Sequence, residues 1–239
     1  MKVETTIKPS AITIAEAFIE FWIKELEETK GDFHVALSGG STPKLLFQLI
    51  KEDHLDRFPW ERIHFWWGDE RMVPPNDDDS NFKWAFELLI RHTNFPMKNL
   101  HRILGEMPSD TECLRFAAEM ITKMPVENGA PVFDLVILGM GIDGHTASIF
   151  PDRLELFKSE EVSALVNHPE SGQQRVTLTG LTINNARNIA FLVTGKSKTD
   201  RVSEIINNEE VAKNYPASYV KPTHGKLTWW LDKAAAKKI

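Results

Sequence analysis

A histidine and an aspartate lie two residues apart in one glycine-rich segment, Gly139-Met-Gly-Ile-Asp-Gly-His-Thr-Ala-Ser148. An unperturbed imidazole titrates near neutral pH, which makes His145 a candidate general base, with Asp143 beside it. The apolar run before them, Phe133–Leu138, is typical of a buried parallel strand, and the glycines let the backbone turn sharply at its end. The segment therefore predicts an acid–base pair at the carboxyl end of a sheet, where open α/β folds place their sites. The alternative is a plain glycine turn with a surface histidine.

A second segment with possible chemistry is Ser38-Gly-Gly-Ser-Thr-Pro43, which follows the apolar run Phe33–Leu37. Glycines expose backbone N–H groups, hydroxyls donate further hydrogen bonds, and a following helix offers its positive N-terminal end. We expect an anion site formed by four residues: Gly39, Gly40, Ser41 and Thr42. The spacing is not that of a P-loop. A tight strand-to-helix turn capped by a hydroxyl is the alternative.

Three charged residues, Asp69, Glu70 and Arg71, follow the apolar strand 63–67. Charges at the end of such a strand must be solvated, paired or functional. An arginine there can bind a carboxylate, a phosphate or a developing oxyanion. A weak surface ion pair is the alternative.

Two further cations lie at the ends of later strands: Arg175 stands directly before the strand 176–179, and Lys198 lies in the turn after the run 191–193. Either one could complete the anion site that Ser41 and Thr42 begin. Taken singly, each is more commonly plain surface charge. The convergence of four strand ends is a stronger signal than any one of them.

Neither a metal nor a cofactor is expected. The run Asp77–Asp79 lacks the spacing of a calcium loop, and acidic residues before the helix start at Ser80 favour the helix dipole instead. The histidines other than His145 show no zinc-ligand spacing.

Composition sets the remaining limits. The chain has 239 residues, 42% of them hydrophobic, with a formal net charge of −6 and one cysteine. These values describe an ordinary globular protein and disfavour a general nucleic-acid binder. The lone Cys113 fits a reducing cytosol, and the chain shows neither a signal-peptide pattern nor an apolar run long enough to span a bilayer. We expect a cytoplasmic protein without a membrane or nucleic-acid partner.

Strand and helix patterns alternate along the chain, which predicts an α/β fold with a largely parallel sheet and a possible small antiparallel insert around 160–180. We expect a single domain, 1–239. Helices are predicted at 12–26 (with Ser10 as the cap), 44–50, 80–91, 109–124 and 198–206. Strands are predicted at 33–37, 63–67, 100–104, 133–138, 162–166, 176–179, 189–193 and 227–231.

As a set, the motifs resemble the 6-phosphogluconolactonases, in the wider group that contains the glucosamine-6-phosphate deaminases. The resemblance runs in order from about residue 33 to the C-terminus. It rests on Ser38–Pro43, Trp67–Arg71, Ser80–Phe82, Gly139–Ser148, Arg175–Thr179 and the turn from Gly195 to Lys198.

This resemblance implies a three-layer αβα fold with a Rossmann-like sheet and hydrolysis of 6-phospho-D-glucono-1,5-lactone in the pentose phosphate pathway, without a metal or cofactor. It implies that His145 is the general base and Asp143 its neighbour. Ser41, Thr42, Arg175 and Lys198 would hold the phosphate. The lactone end would be lined by Asp69 and Arg71, although Arg71 is also placed to reach the phosphate. The partner would be a small sugar-phosphate lactone, bound by a monomer or small homo-oligomer.

Deaminases of the group typically carry tyrosine after Asp-Glu, where this chain has Arg71, and Asn-Glu-Pro where it has Ile149-Phe-Pro151. Both differences favour the lactonase. Deamination or isomerisation of an amino-sugar phosphate, and a non-catalytic sugar-phosphate sensor, are the alternatives. Within the lactonase pattern, the segment Pro169–Gln174 lacks the usual proline pair and Thr199 replaces a common alanine.

Overall fold

The computed structural model describes residues 3–239, in which strands and helices alternate. The helices are α1 (Ala11–Glu28), α2 (Ser41–Leu49), α3 (Asn81–Leu88), α4 (Ser109–Lys123), α5 (Gly180–Asn184) and α6 (Thr199–Ile206). The strands are β1 (Val3–Lys8), β2 (Phe33–Leu37), β3 (Ile63–Trp67), β4 (Asp69–Arg71), β5 (Val126–Glu127), β6 (Ala130–Pro131), β7 (Leu135–Leu138), β8 (Ser163–Asn167), β9 (Gln174–Leu178), β10 (Asn188–Val193) and β11 (Lys226–Asp232).

The central sheet has six strands in the order β1-β11-β10-β7-β2-β3, and every neighbouring pair is parallel. All residues of β2, β7 and β10 are buried, as expected when helices cover both faces of a parallel sheet. The predicted α/β fold is confirmed. Because the strands are parallel, the segments that follow β2, β3, β7 and β10 all lie at one edge of the sheet.

Helix α1 begins at a capping box, in which Ser10 and Thr13 satisfy each other's backbone N–H groups. Its apolar face packs Phe18 and Trp22 into the core, and Phe18 meets the ring of Trp230 on β11 edge-on at 5.4 Å. On the same core, Trp66 and Trp67 of β3 are fully buried. Most of the tryptophans therefore stabilise the fold by packing, as expected.

A second, antiparallel sheet of three strands has the order β4-β9-β8. It confirms the predicted insert at 160–180 and extends it, since residues 69–71 add a third strand. Arg71 of β4 stands directly opposite Arg175 of β9. This pairing brings together two cations that are more than a hundred positions apart in the sequence.

Two predicted elements need correction. The segment 100–104 is not a strand, since its contact with the sheet is a single bridge between Phe65 and Leu100 before the chain turns at 105. Helix α3 ends at Leu88 rather than Arg91, and a short 3-10 turn, Ile90–His92, follows it. The edge strand β1 was not predicted, because its polar composition hides its pairing with β11.

Among residues 3–239, no helix combines the length and the apolar character that crossing a membrane requires.

Buried histidines lie near the amino ends of β2 and β3, away from the edge that carries the predicted motifs. The rings of His34 and His64 are 4.7 Å apart, and His64 contacts His101 through ring nitrogens at 3.0 Å. His34 accepts a hydrogen bond from the indole N–H of Trp66 at Nδ1 (3.1 Å), so its neutral form fits the site. Burial, together with the charges of His64 and His101, lowers the pKa of His34 to about 4.

We therefore expect acid to destabilise the fold through His34. A histidine whose pKa is lower in the folded state binds fewer protons there than in the unfolded chain, so its stabilising contribution is lost as pH falls from the unfolded value of about 6.5 toward 4. The variant His34→Asn keeps an acceptor for Trp66 but does not titrate. Between pH 7 and pH 5 it should lose about 1–2 kcal/mol less free energy of unfolding than wild type.

Urea unfolding at several pH values measures this difference, and taking it between variant and wild type removes the contribution of other titrating groups. The exposed His92, replaced by asparagine, is the matched control. Equal pH slopes for His34→Asn and wild type would contradict the expectation.

Candidate active site

A cavity of about 290 Å³ opens at the carboxyl edge of the central sheet. Its walls come from the segments after β2, β7 and β10, from β4 and β9 of the small sheet, and from the start of α3. The predicted residues that line it are Gly39, Gly40, Ser41, Thr42, Asp69, Arg71, His145, Arg175 and Lys198. The remaining predicted residue, Asp143, contacts His145 at the margin of the cavity.

His145 and Asp143 form a hydrogen-bonded pair, with Nδ1 of the imidazole 2.7 Å from Oδ1 of the carboxylate. Burial raises the pKa of Asp143, but the hydrogen bond and charge of His145 outweigh it and lower the pKa to about 2. Asp143 is therefore an acceptor at neutral pH, so the Nδ1 of His145 carries the proton. This leaves Nε2 as the basic nitrogen of the ring.

The turn that carries this pair depends on its glycines. A side chain on Gly141 would overlap both the imidazole of His145 and the carboxylate of Asp143. Gly144 has a φ of +84°, and a Cβ there would overlap Tyr215. The Gly-rich pattern is thus required by close packing around the pair as well as by the sharp change in backbone direction.

The amino end of α2 forms another part of the cavity wall. Gly40 precedes the helix with a φ of +106°, and no side chain among residues 3–239 caps it. The backbone N–H groups of Ser41 and Thr42 are first-turn donors without helical partners, and Pro43 has no N–H to satisfy. The Thr42 hydroxyl contacts the hydroxyl of Thr194 at the end of β10 (2.9 Å). This helix end is suited to an anion.

Two arginines form a further part of the cavity wall. Arg175 is buried, and its Nη2 donates to Gln173 (3.3 Å), while Nη1 of Arg71 donates to the carbonyl oxygen of Asp79 (2.7 Å). The Nε atoms of both arginines are buried without a hydrogen-bond partner among residues 3–239. Burial and the neighbouring charge of Arg71 lower the pKa of Arg175. A bound anion would satisfy these donors and offset the repulsion.

Lys198 adds a third cation from the turn after β10. Burial lowers the pKa of its ammonium group, and the charge of Asp143 opposes that effect. The turn is fixed at Gly195, whose φ is +94° and whose N–H donates to both carboxylate oxygens of Asp232 (3.0 and 3.1 Å). The hydroxyl of Thr199 shares its hydrogen bond between two carbonyl oxygens, those of Lys196 and Ala234.

Asp69 is held at the base of the cavity. Its side chain is buried, and Oδ2 accepts a hydrogen bond of 2.6 Å from the hydroxyl of Ser148. The Nδ2 of Asn81 donates to its backbone carbonyl (3.0 Å). The carboxylate therefore has a fixed orientation beside the arginine pair.

The sequence did not assign roles to three polar residues of the site: Asn81, Ser148 and Thr194. Ser148 closes the glycine-rich segment, and Asn81 belongs to a motif of the family resemblance, so for both a signal was present. Thr194 follows an apolar strand with no pattern to mark it.

Metal-ligand geometry is not found in the described part of the chain, where no group of three or more His, Cys, Asp or Glu side chains is placed to hold an ion. The acidic run before α3 makes local contacts instead. Asp77 accepts from the N–H of Asp79 (2.9 Å), and Asp78 pairs with Lys83.

Comparison with known proteins identifies the family. The family model of glucosamine-6-phosphate isomerases/6-phosphogluconolactonase matches residues 8–229. A 6-phosphogluconolactonase of Haemophilus influenzae is 47% identical over 207 residues, which cover 86% of this chain and 87% of that protein.

Solved structures agree with this assignment. The crystal structure of the devB protein is 40% identical and superimposes with a TM-score of 0.95 over the whole of both chains. The 6-phosphogluconolactonase of Trypanosoma brucei is 27% identical, with a TM-score of 0.89 over 100% of this chain and 99% of that one. The chain therefore belongs to the glucosamine-6-phosphate isomerase/6-phosphogluconolactonase family.

Proposed function

We propose that this protein hydrolyses 6-phospho-D-glucono-1,5-lactone to 6-phospho-D-gluconate, a step of the oxidative pentose phosphate pathway. One structural observation carries the proposal: a single cavity is lined by His145, which is hydrogen-bonded to Asp143 at the margin, and by three cations, Arg71, Arg175 and Lys198. The substrate has a hydrolysable ester at one end and a phosphate at the other. The 47% identity to a protein named 6-phosphogluconolactonase supports the same reaction.

His145 acts on water in this proposal. Its Nε2 takes a proton from a water molecule as the oxygen adds to C1 of the lactone. The tetrahedral intermediate then collapses, the bond from C1 to the ring oxygen breaks, and the imidazolium returns the proton to that oxygen. Asp143 holds the ring in the required tautomer and stabilises its charge, as a carboxylate behind a histidine does in other hydrolytic sites.

The phosphate binds at the amino end of α2. The N–H groups of Ser41 and Thr42 and the positive end of the helix dipole favour a dianion there. Lys198 and Arg175 supply further charge from two other segments. Binding at this end fixes the sugar and orients the distant ester, which contributes to the rate without taking part in the chemistry.

Arg71 lies next to Arg175 on the neighbouring strand, and we assign it to the oxyanion that develops on the C1 oxygen. Donors preorganised for such an oxyanion stabilise the transition state more than the ground state. Asp69, beside Arg71, lines the same end of the cavity.

The single cysteine fits a reducing compartment, and we expect the enzyme to act in the cytoplasm without a metal or cofactor. We also expect a monomer or a small homo-oligomer.

The direct test is hydrolysis of freshly generated 6-phosphoglucono-δ-lactone, with the spontaneous rate subtracted. His145→Ala should lower kcat by about 10²–10⁴ with a modest change in KM, the usual range for a lost general base. His224→Ala, a change at an exposed histidine, is the control. An unchanged kcat for folded His145→Ala would remove His145 from this role.

The two arginines should differ in kinetics. Arg175→Ala should raise KM about 10–100-fold, the effect of one lost charged hydrogen bond, whereas Arg71→Ala should lower kcat about 10²–10³-fold as an oxyanion donor. Glucono-1,5-lactone without the phosphate separates the two roles, because only Arg71→Ala should still impair its hydrolysis.

The control for this pair is Arg57→Ala, which removes a surface cation that pairs with Glu20. If Arg175→Ala lowered only kcat, or if Arg71→Ala raised only KM, the two assignments would be exchanged.

The other members of the family set a further test. With arginine at 71 and Ile149-Phe-Pro151 after the turn, the chain should release no ammonia from glucosamine 6-phosphate above background. Ammonia release at a rate comparable to lactone hydrolysis would favour the deaminase. A chain that binds 6-phosphogluconate but turns over neither substrate would be a sensor.

A further inference from the structure

Glu70 is a buried carboxylate that the proposed mechanism does not use. Only 2% of its surface is exposed, and it accepts four hydrogen bonds. Its Oε1 accepts from the N–H groups of Arg71 (2.8 Å) and Asn81 (2.7 Å). Its Oε2 accepts from the N–H of Phe82 (2.7 Å) and the hydroxyl of Ser80 (3.1 Å). No cation pairs with it in the described part of the chain, and all four partners here are donors.

These donors come from two separate segments, the end of β4 and the start of α3, with the loop 72–79 between them. The first N–H groups of a helix have no partners within the helix, and a negative charge beside them is favourable. Glu70 supplies both the acceptors and the charge. The side chain of Glu70 therefore joins the two ends of the loop through its hydrogen bonds.

Both ends of this closed loop carry residues of the cavity. Arg71 follows Glu70 directly, and its guanidinium donates to the carbonyl oxygen of Asp79 at the far end of the loop. Asn81 packs its amide against Gly39, so closely that a side chain on that glycine would overlap it. A shift of α3 relative to β4 would thus move the arginine and disturb the amino end of α2 together.

We propose that Glu70 is a positioning residue, which sets Arg71 and Asn81 in the cavity through backbone hydrogen bonds and does not touch the substrate. Its kinetic consequence rests on the proposed function, since it is measured on the lactone. The site would then include Glu70, a residue that does not line the cavity.

The ionised form of Glu70 suits this role, because protonation would turn one acceptor oxygen into an O–H donor that faces another donor. Burial raises the pKa of Glu70 to about 7, against the opposing effect of its backbone hydrogen bonds and with a further rise from Asp69. The charged groups near it are Asp69 and Arg71 on the same strand and Arg175 on β9. The ionised carboxylate is therefore buried at a free-energy cost, which its four hydrogen bonds partly offset.

The test replaces Glu70 by glutamine, which has the same shape but turns an N–H₂ group toward N–H donors. We expect kcat/KM for the phosphorylated lactone to fall about 10–100-fold, the range for lost hydrogen bonds to a charged group. In an Arg71→Ala background the same change should cost much less, because the two residues act as one unit.

A second readout needs no substrate. Hydrogen exchange at the backbone amides of Arg71, Asn81 and Phe82 should accelerate in Glu70→Gln while the core strands stay protected. Glu70→Asp keeps the charge with a shorter reach and should give intermediate exchange and activity. This milder variant also serves if Glu70→Gln does not fold.

Asp134→Asn is the matched control. Asp134 is also a buried carboxylate whose pKa is raised by burial, and it accepts from the N–H of His34 (2.8 Å), but it lies just before β7, at the amino edge of the sheet. Its replacement should lower the melting temperature and leave kcat/KM unchanged.

Equal losses for Glu70→Gln with and without Arg71 would overturn the proposal, as would a lower melting temperature with unchanged kcat/KM and unchanged exchange at the three amides. Failure of wild type to hydrolyse the lactone would overturn the proposed function instead. The exchange data and the affinity of the same variants for inorganic phosphate would then decide the role of Glu70.

Discussion

Parallel pairing of β7 with both β2 and β10 is the constraint on which the rest of the site depends. In a parallel sheet the chain leaves every strand at the same edge. Strand pairing alone therefore brings three segments that are distant in the sequence together there. The turn of Gly39 and Gly40 follows β2, the turn of His145 follows β7, and Lys198 follows β10. The strands themselves are fully buried, and their hydrogen bonds hold these turns within one cavity.

The small antiparallel sheet adds what the parallel sheet does not provide. Its register places Arg71 opposite Arg175, so that two guanidinium groups share one wall although the protein as a whole carries a net charge of −6. Two neighbouring guanidinium groups whose buried Nε atoms have no partner among residues 3–239 reduce stability, and in the proposed function an anionic substrate would offset that cost. Glu70 accepts from the backbone N–H of Arg71, and the carbonyl oxygen of Asp79 accepts from its guanidinium, so that both hold Arg71 in this wall. We therefore interpret the site as an acid–base turn, with His145 and Asp143, and a cationic wall, with Arg71 and Arg175, that is suited to a phosphate or an oxyanion.

Much of this site could be predicted from sequence because local chemistry reveals it. Strand β2 was predicted with its observed bounds, since a short apolar run that ends in Gly-Gly permits few other structures. In the same way, the Gly-rich turn predicted an acid–base pair of His145 and Asp143 at the end of a strand. By contrast, the pairing of Arg71 with Arg175 depends on the register between two segments distant in the chain, which no local pattern encodes.

The errors have related causes. Strand β1 is polar and belongs to the sheet only through its partner β11, whereas the apolar residues at 100–104 pack beside β3 without joining it beyond one bridge. Likewise, the position of Glu70 in the sequence suggests a surface charge. In the fold its carboxylate is buried, because four donors from the end of β4 and the start of α3 converge on it. Tertiary partners, rather than the residue types themselves, decide these cases.

The central claim is that the phosphate lies at the amino end of α2 and the reacting carbon lies at His145. A crystal structure of the protein with 6-phosphogluconate tests it most directly. We expect phosphate oxygens within hydrogen-bond distance of the N–H groups of Ser41 and Thr42, and the C1 carboxylate within reach of the Nε2 of His145. A product bound the other way round, with its phosphate at His145, would disprove this placement of the substrate.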